Sequence, residues 1–172
     1  METGPVAIAP FRFWAFLGAL APTLAMAFAL YLQYGRELEP CPMCIFQRVA
    51  MIGLIVVWLV ALVHGPARWG RWVYAALGGV VAGIGAAIAA RHVWLQNLPE
   101  DQVPACGPSL DYLMEVSPWQ EVIATVLRGD GNCAIIDASF LGLSIPGWTL
   151  VAFVGLGLAS LLVPLLSTAK ES

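Results

Sequence analysis

Charged residues fall in clusters along this chain, and four long stretches between the clusters carry none. Phe13 to Gly35, Val49 to Ala67, Trp72 to Ala90 and Ala138 to Ala169 contain no Asp, Glu, Lys or Arg. A helix needs about 20 apolar residues to cross roughly 30 Å of hydrocarbon, and each stretch is long enough. The fourth exceeds one crossing, but Pro146 and Gly147 ahead of Trp148 mark a helix start, with an end near Leu166. The expected spans are 13–34, 44–64, 72–92 and 147–166, in one membrane domain over residues 1–172. Loops at 35–43 and 93–146 separate them on one side. The predicted fold is all-α: a four-transmembrane-helix bundle with two extracytoplasmic loops. Ala25, Ala27 and Ala29 offer leader-type cleavage sites in the first stretch. That stretch is longer than the roughly 7 to 15 residues of a leader's apolar core and follows Glu2 with only Arg12 to balance it, so it reads as a retained span.

Composition supports a membrane setting. Charged residues make up 11% of the chain and hydrophobic ones 60%, whereas soluble domains carry about 25% charged residues. A net charge of −3 without any Lys/Arg run excludes a nucleic-acid footprint. Basic residues divide evenly, Arg12, Arg68, Arg71 and Lys170 against Arg36, Arg48, Arg91 and Arg128, but the first four sit in much shorter segments. The positive-inside rule therefore predicts cytoplasmic termini and both loops outside. Trp14, Trp69, Trp72, Trp94, Trp119 and Trp148 fall at or beyond span ends, as interfacial anchors do, and Trp58 alone is mid-span.

The second loop carries helix signals of its own. Ser117, Pro118 and Gln120 read as N-cap, first-turn proline and capping-box glutamine, and Arg128-Gly129 as a helix end. Between them Trp119, Val122, Ile123, Val126 and Leu127 form an apolar stripe opposite Gln120, Glu121 and Thr125. A short helix tethered at both ends is expected to lie flat in the interface, or to pack on the outer ends of the spans.

All four cysteines, Cys41, Cys44, Cys106 and Cys133, fall in the two outer loops, where disulfides persist. Cys41-Pro-Met-Cys44 closes a small, strained ring that is easily reduced, and it opens the second span. A helix N-terminus and Arg48 one turn on both favour a thiolate at Cys44, the reactive form. The pair is equally compatible with a structural disulfide or half a zinc site. Arg48 alone reads as readily as an arginine snorkelling to the interface, and His64 and His92 as interfacial groups. Cys106 and Cys133 enclose a loop whose closure would contribute roughly 3 kcal/mol, which fits a structural bridge. That long loop also fits a functional segment.

Taken together, Cys41-Pro42-Met43-Cys44-Ile45-Phe46-Gln47-Arg48, Arg91-His92-Val93-Trp94-Leu95-Gln96, the Cys106 and Cys133 pair, Phe140-Leu141-Gly142-Leu143 and Ile145-Pro146-Gly147-Trp148 resemble the disulfide bond formation protein B (DsbB) family of bacterial inner-membrane thiol:quinone oxidoreductases. The resemblance runs the length of the chain; Met43 stands where leucine is frequent. It implies that a reduced DsbA-like thioredoxin-fold protein attacks the disulfide at Cys106, that Cys133 then exchanges with Cys41, and that Cys44 is released beside a quinone. It further implies that Arg48 holds the ubiquinone or menaquinone, with His92 and Gln47 in the same pocket, and that no metal takes part. DsbA is itself the usual illustration of a strong oxidant, at about −120 mV, kept oxidised by DsbB and a quinone. A disulfide of about −180 to −270 mV would oxidise it uphill by roughly 3 to 7 kcal/mol, so an external acceptor is needed. Three other readings compete. In the vitamin K epoxide reductase family the CxxC comes late in the chain, whereas here it comes first; a tetraspanin-like scaffold lacks its CCG motif here; a four-cysteine zinc protein would show its metal on analysis.

Overall fold

The computed structural model describes residues 9–136 and 138–168. Glu2, Ala169 and Lys170, on which the expected spans and sidedness partly rest, lie outside the described residues. A strand β1 (Ala9–Pro10) leads into α1 (Phe11–Gly35), followed by α2 (Pro42–His64) and α3 (Arg68–Gln96). The second loop then folds as a 3-10 turn (Glu100–Gln102), α4 (Leu110–Val116), α5 (Trp119–Arg128), α6 (Gly131–Ala134) and a hairpin of β2 (Ser139–Phe140) and β3 (Leu143–Ser144). Helix α7 (Ile145–Leu166) and β4 (Ser167–Thr168) complete it. The four long helices are each apolar enough to cross a membrane. Leu24, Phe28, Val63, Val80, Ile84 and Leu158 point outward more than half exposed, which lipid tolerates and water does not.

Local chemistry sets the helix ends. Cys41 is the N-cap of α2 with Pro42 in its first turn, and Gly65 closes the helix at φ 56°, its N–H bonded to the Ala61 carbonyl. Helix α7 starts at Ile145, earlier than Trp148, because the Ser144 hydroxyl accepts the Gly147 N–H and Pro146 fits the first turn. Arg68, Arg71 and Arg91 lie inside α3, which continues past the uncharged run at both ends, where charged side chains reach the interface.

Small residues let the helices close on one another. The buried face of α3 runs Ala75, Gly78, Ala82, Gly85, Ala89. A Cβ on Gly85 would lie 2.3 Å from the Phe153 ring of α7, and one on Gly18 of α1 would lie 2.7 Å from Trp58. In lipid, such close backbone approach is a main source of helix association. α3 packs along α2 and α7, and α2 along α1. α1 and α7 meet at the end away from the cysteines, where Phe11, Ala15 and Val163 share a cluster and β1 pairs with β4.

Ser117 does not cap α5. Its N–H closes α4 on the Leu113 carbonyl, and Pro118 takes the N-cap of α5 without a side-chain bond. The unforeseen α4, only seven residues long, is too short to show periodicity, although its Ser109 N-cap accepts the Tyr112 N–H. Val122 and Val126 of α5 pack on Met43, Leu95 and Cys133, while Trp119, Ile123 and Leu127 stay exposed. One edge of this amphipathic helix therefore seals the loop to the bundle, and the other faces outward. Val126→Glu should cost about 3 to 5 kcal/mol, as an unpaired buried charge. Ile123→Glu should cost only about 0.5 kcal/mol in detergent-solubilised protein, and unfolding curves of the two variants check the difference.

Candidate active site

Four segments converge at the end of the bundle that carries the cysteines. Cys41 caps α2 and Cys44 lies in its first turn, their sulfurs 3.1 Å apart. On α3, His92 continues the small-residue stripe three positions beyond Ala89 and is buried with it. Its Nε2 lies 3.7 Å from Cys41 Sγ and its Nδ1 3.1 Å from the amide nitrogen of Gln47, itself on the buried face of α2. α6 delivers Cys133 from the opposite side. Its N-cap Asp130 accepts the Cys133 N–H at 3.2 Å, which fixes where that cysteine sits. The Cys41 and Cys133 sulfurs and a His92 ring nitrogen all lie within 4.8 Å of one another.

Cys133 is buried, and its contact with Cys41, then its burial, push the thiol's pKa far above the usual range. Cys106 is exposed. Its sulfur would lie 3.1 Å from a Cβ on Gly131, whose N–H bonds to the Ala105 carbonyl. That Cβ would also come 2.8 Å from the Pro104 carbonyl oxygen, so only glycine lets α6 rest on the Cys106 segment. All four cysteines are free thiols.

Beside Cys44 a cavity of about 560 Å³ lies between α1 and α7. Met26 and Ala29 of α1, Cys44, Arg48 and Met51 of α2, and Trp148 and Ala152 of α7 line it. The segment after Cys133 forms part of its wall through Ile135 and Phe140, and Trp148 donates to the Phe140 carbonyl at 2.9 Å. Gln96 steadies that wall: it accepts from the Ser144 hydroxyl at 2.6 Å and donates to the Ile135 carbonyl at 3.4 Å. Arg48 does not bond to Cys44. Its guanidinium donates to the Gln33 side chain and, at 3.4 Å, to the Ala29 carbonyl, both on α1.

The structure thus brings Cys41, Cys44, Cys133, Gln47, Arg48 and His92 to one place and leaves Cys106 on the surface above it. Gln33, Gln96 and Asp130 are partners that sequence reasoning passed over. Gln33 had a signal, because a lone amide near the end of an apolar run needs a partner in lipid. Asp130 had another, standing three residues ahead of Cys133 in an N-cap pattern.

A four-span protein in which a buried thiol and two half-buried ones meet beside an apolar cavity, with a fourth exposed above them, has the make-up of a membrane thiol oxidoreductase. The family model for "Disulfide bond formation protein DsbB" matches residues 11–163. Disulfide bond formation protein B of Nitrosococcus oceani is 53% identical over 150 residues, covering 87% of this chain and 89% of that one. The protein of the same name from Saccharophagus degradans is 55% identical over 141 residues, covering 82% and 83%. The chain belongs to the DsbB family and is a multi-pass membrane thiol:quinone oxidoreductase that generates disulfide bonds.

Proposed function

We propose that the protein reoxidises a DsbA-like thioredoxin-fold dithiol in the periplasm and passes the electron pair through its two cysteine pairs to ubiquinone or menaquinone. In this reading it sits in the bacterial inner membrane with cytoplasmic termini. The observation that carries it is the convergence of Cys133 on Cys41 beside the cavity.

The exposed Cys106 receives the partner's thiolate, which breaks a Cys106–Cys133 bond and frees Cys133. Cys133 then attacks Cys41, and Cys44 leaves as a thiolate at the cavity wall, where the helix N-terminus favours the charge. The cavity fits a quinone: its volume suits a ring with part of its tail, its wall is largely apolar, and Arg48 stands in that wall. A bound quinone supplies the two-electron acceptor. A guanidinium has five N–H groups, so Arg48 keeps donors for a cavity oxygen beyond those held by Gln33 and Ala29.

Two experiments test the reading. With Cys44→Ser and Cys106→Ser together, mild oxidation should join Cys41 to Cys133. With Cys41→Ser and Cys106→Ser, a Cys44–Cys133 bond should form more slowly, by about tenfold or more. Equal rates of the two linkages in non-reducing peptide maps would remove Cys41 as the receiving sulfur. In intact spheroplasts, after reduction, a membrane-impermeant thiol reagent should label Cys106 first and then, more slowly, the other three cysteines. Labelling confined to inverted vesicles would reverse the sidedness.

A further inference from the structure

In the proposed route, on which this inference rests, the exchange step leaves one proton without a destination. Cys133 leaves Cys106 as a thiolate, but its buried site favours uptake of a proton, and it must be a thiolate again to attack Cys41. At 1% exposure its sulfur does not face bulk water. The imidazole beside it is His92, 2% exposed on α3. The two ring nitrogens of His92 are used differently. Nδ1 faces the Gln47 carboxamide at 3.1 Å, pinning the ring across the contact between α2 and α3. Nε2 faces Cys41 Sγ at 3.7 Å, in the cluster that holds Cys133. The titratable groups acting on the ring are Cys41, ahead of α2, and Cys133, on α6. Gln47 is uncharged at every pH, and the Arg48 guanidinium is engaged with α1. Polar residues on the buried stripes of membrane helices are costly, and these two meet each other.

We propose that His92 Nε2 accepts the Cys133 proton as that thiol attacks Cys41, and that Gln47 is the positioning residue that aims Nε2 at the sulfurs. Nδ1 then carries the ring hydrogen and donates it to Gln47 Oε1, which a half-turn of the amide brings to the contact. The Cys133 S–H bond breaks and its proton passes to Nε2. The sulfur's electron pair forms the Cys133–Cys41 bond, and the Cys41–Cys44 bond breaks with its pair leaving on Cys44 as a thiolate. One disulfide replaces another, so the step consumes no oxidant. The arrangement follows the general logic of an activated thiol, with nucleophile, base and a third group orienting the base.

The test uses full-length protein oxidised in both pairs, mixed with a reduced thioredoxin-fold dithiol partner and acid-quenched from milliseconds to seconds. Peptide mapping then follows the partner–Cys106 adduct and the Cys41–Cys133 linkage between about pH 5.5 and 9. In the wild type the linkage rate should rise with pH and then level off once the base is unprotonated. His92→Asn should slow the linkage about 10²- to 10⁴-fold at neutral pH, with the rate climbing roughly tenfold per pH unit as hydroxide replaces the base. Gln47→Leu should slow it about tenfold. Gln47→Glu, which keeps an acceptor for the Nδ1 hydrogen, should return it to within about threefold. A wild-type rate and pH profile in folded His92→Asn overturns the proposal and leaves the route standing. Should that variant not insert, equal rates in Gln47→Leu and wild type overturn it as well. Absence of a Cys41–Cys133 linkage in the wild type overturns the route itself.

Discussion

Cys133→Ser is expected to abolish turnover with the thioredoxin-fold partner, by on the order of 10³-fold or more. Cys106 is exposed, whereas the cluster around Cys41 is reached by Cys133. Without Cys133, Cys106 has no disulfide for the partner to reduce and no contact that leads to Cys41, so exchange becomes an encounter between groups that are not held together. Serine matches cysteine in shape, and its hydroxyl can still pack beside Val122 and Leu95, so folding should persist. The variant also leaves Cys106 as a lone exposed thiol, which should capture the disulfide form of the partner as a mixed disulfide. Oxygen-independent quinone reduction by partner and by a small dithiol, with mapping of the adduct, checks both expectations. A trapped bond at Cys44 instead of Cys106 would overturn the order of exchange.

Arg48→Gln is expected to raise the apparent KM for quinone about 10- to 150-fold, the equivalent of one charge-assisted hydrogen bond at about 1.5 to 3 kcal/mol. An arginine that only snorkels would reach outward to the interface. Here it is half-buried in a cavity wall, its guanidinium turned to the Gln33 side chain and Ala29 carbonyl of α1. The planar fork can hold α1 and still present N–H groups to a cavity oxygen, whereas the lysine ammonium is a point charge with three donors on a flexible stem. Arg48→Lys should therefore weaken quinone use less than Arg48→Gln, though measurably. Gln33→Leu should produce a smaller shift in the same direction by freeing the guanidinium. Steady-state kinetics on protein checked for insertion and helix content measure all three. Wild-type quinone kinetics in well-inserted Arg48→Gln would remove Arg48 from the site.

Much of the architecture was legible because lipid imposes simple rules. A stretch without charge and long enough to cross hydrocarbon has few alternatives to a helix, and backbone groups in lipid must bond within the segment. Cys41-Pro-Met-Cys44 at the head of α2 was legible for a similar reason, since helix capping is decided by neighbours in sequence. The same local reasoning misassigned Ser117. Two short helices compete for that residue, and a capping pattern alone does not say which end it serves.

Spacing along the chain and spacing in the fold part company at the site. The sequence by itself determined the four helices, the position of the CxxC at a helix start and the placing of all four cysteines at one end of the bundle, because these depend on hydrophobic pattern and local capping. Tertiary structure alone decided that Cys133 lies with Cys41 and that Cys106 stays outside. It also decided that His92 is held by Gln47 and turned to the sulfurs, and that Arg48 reaches α1 and not Cys44. Those choices depend on how closely Gly85 and the other small residues let α3 approach its neighbours, and on how α5 and Gly131 seat the loop. Such packing joins residues dozens of positions apart, and periodicity within one helix carries no information about its partner.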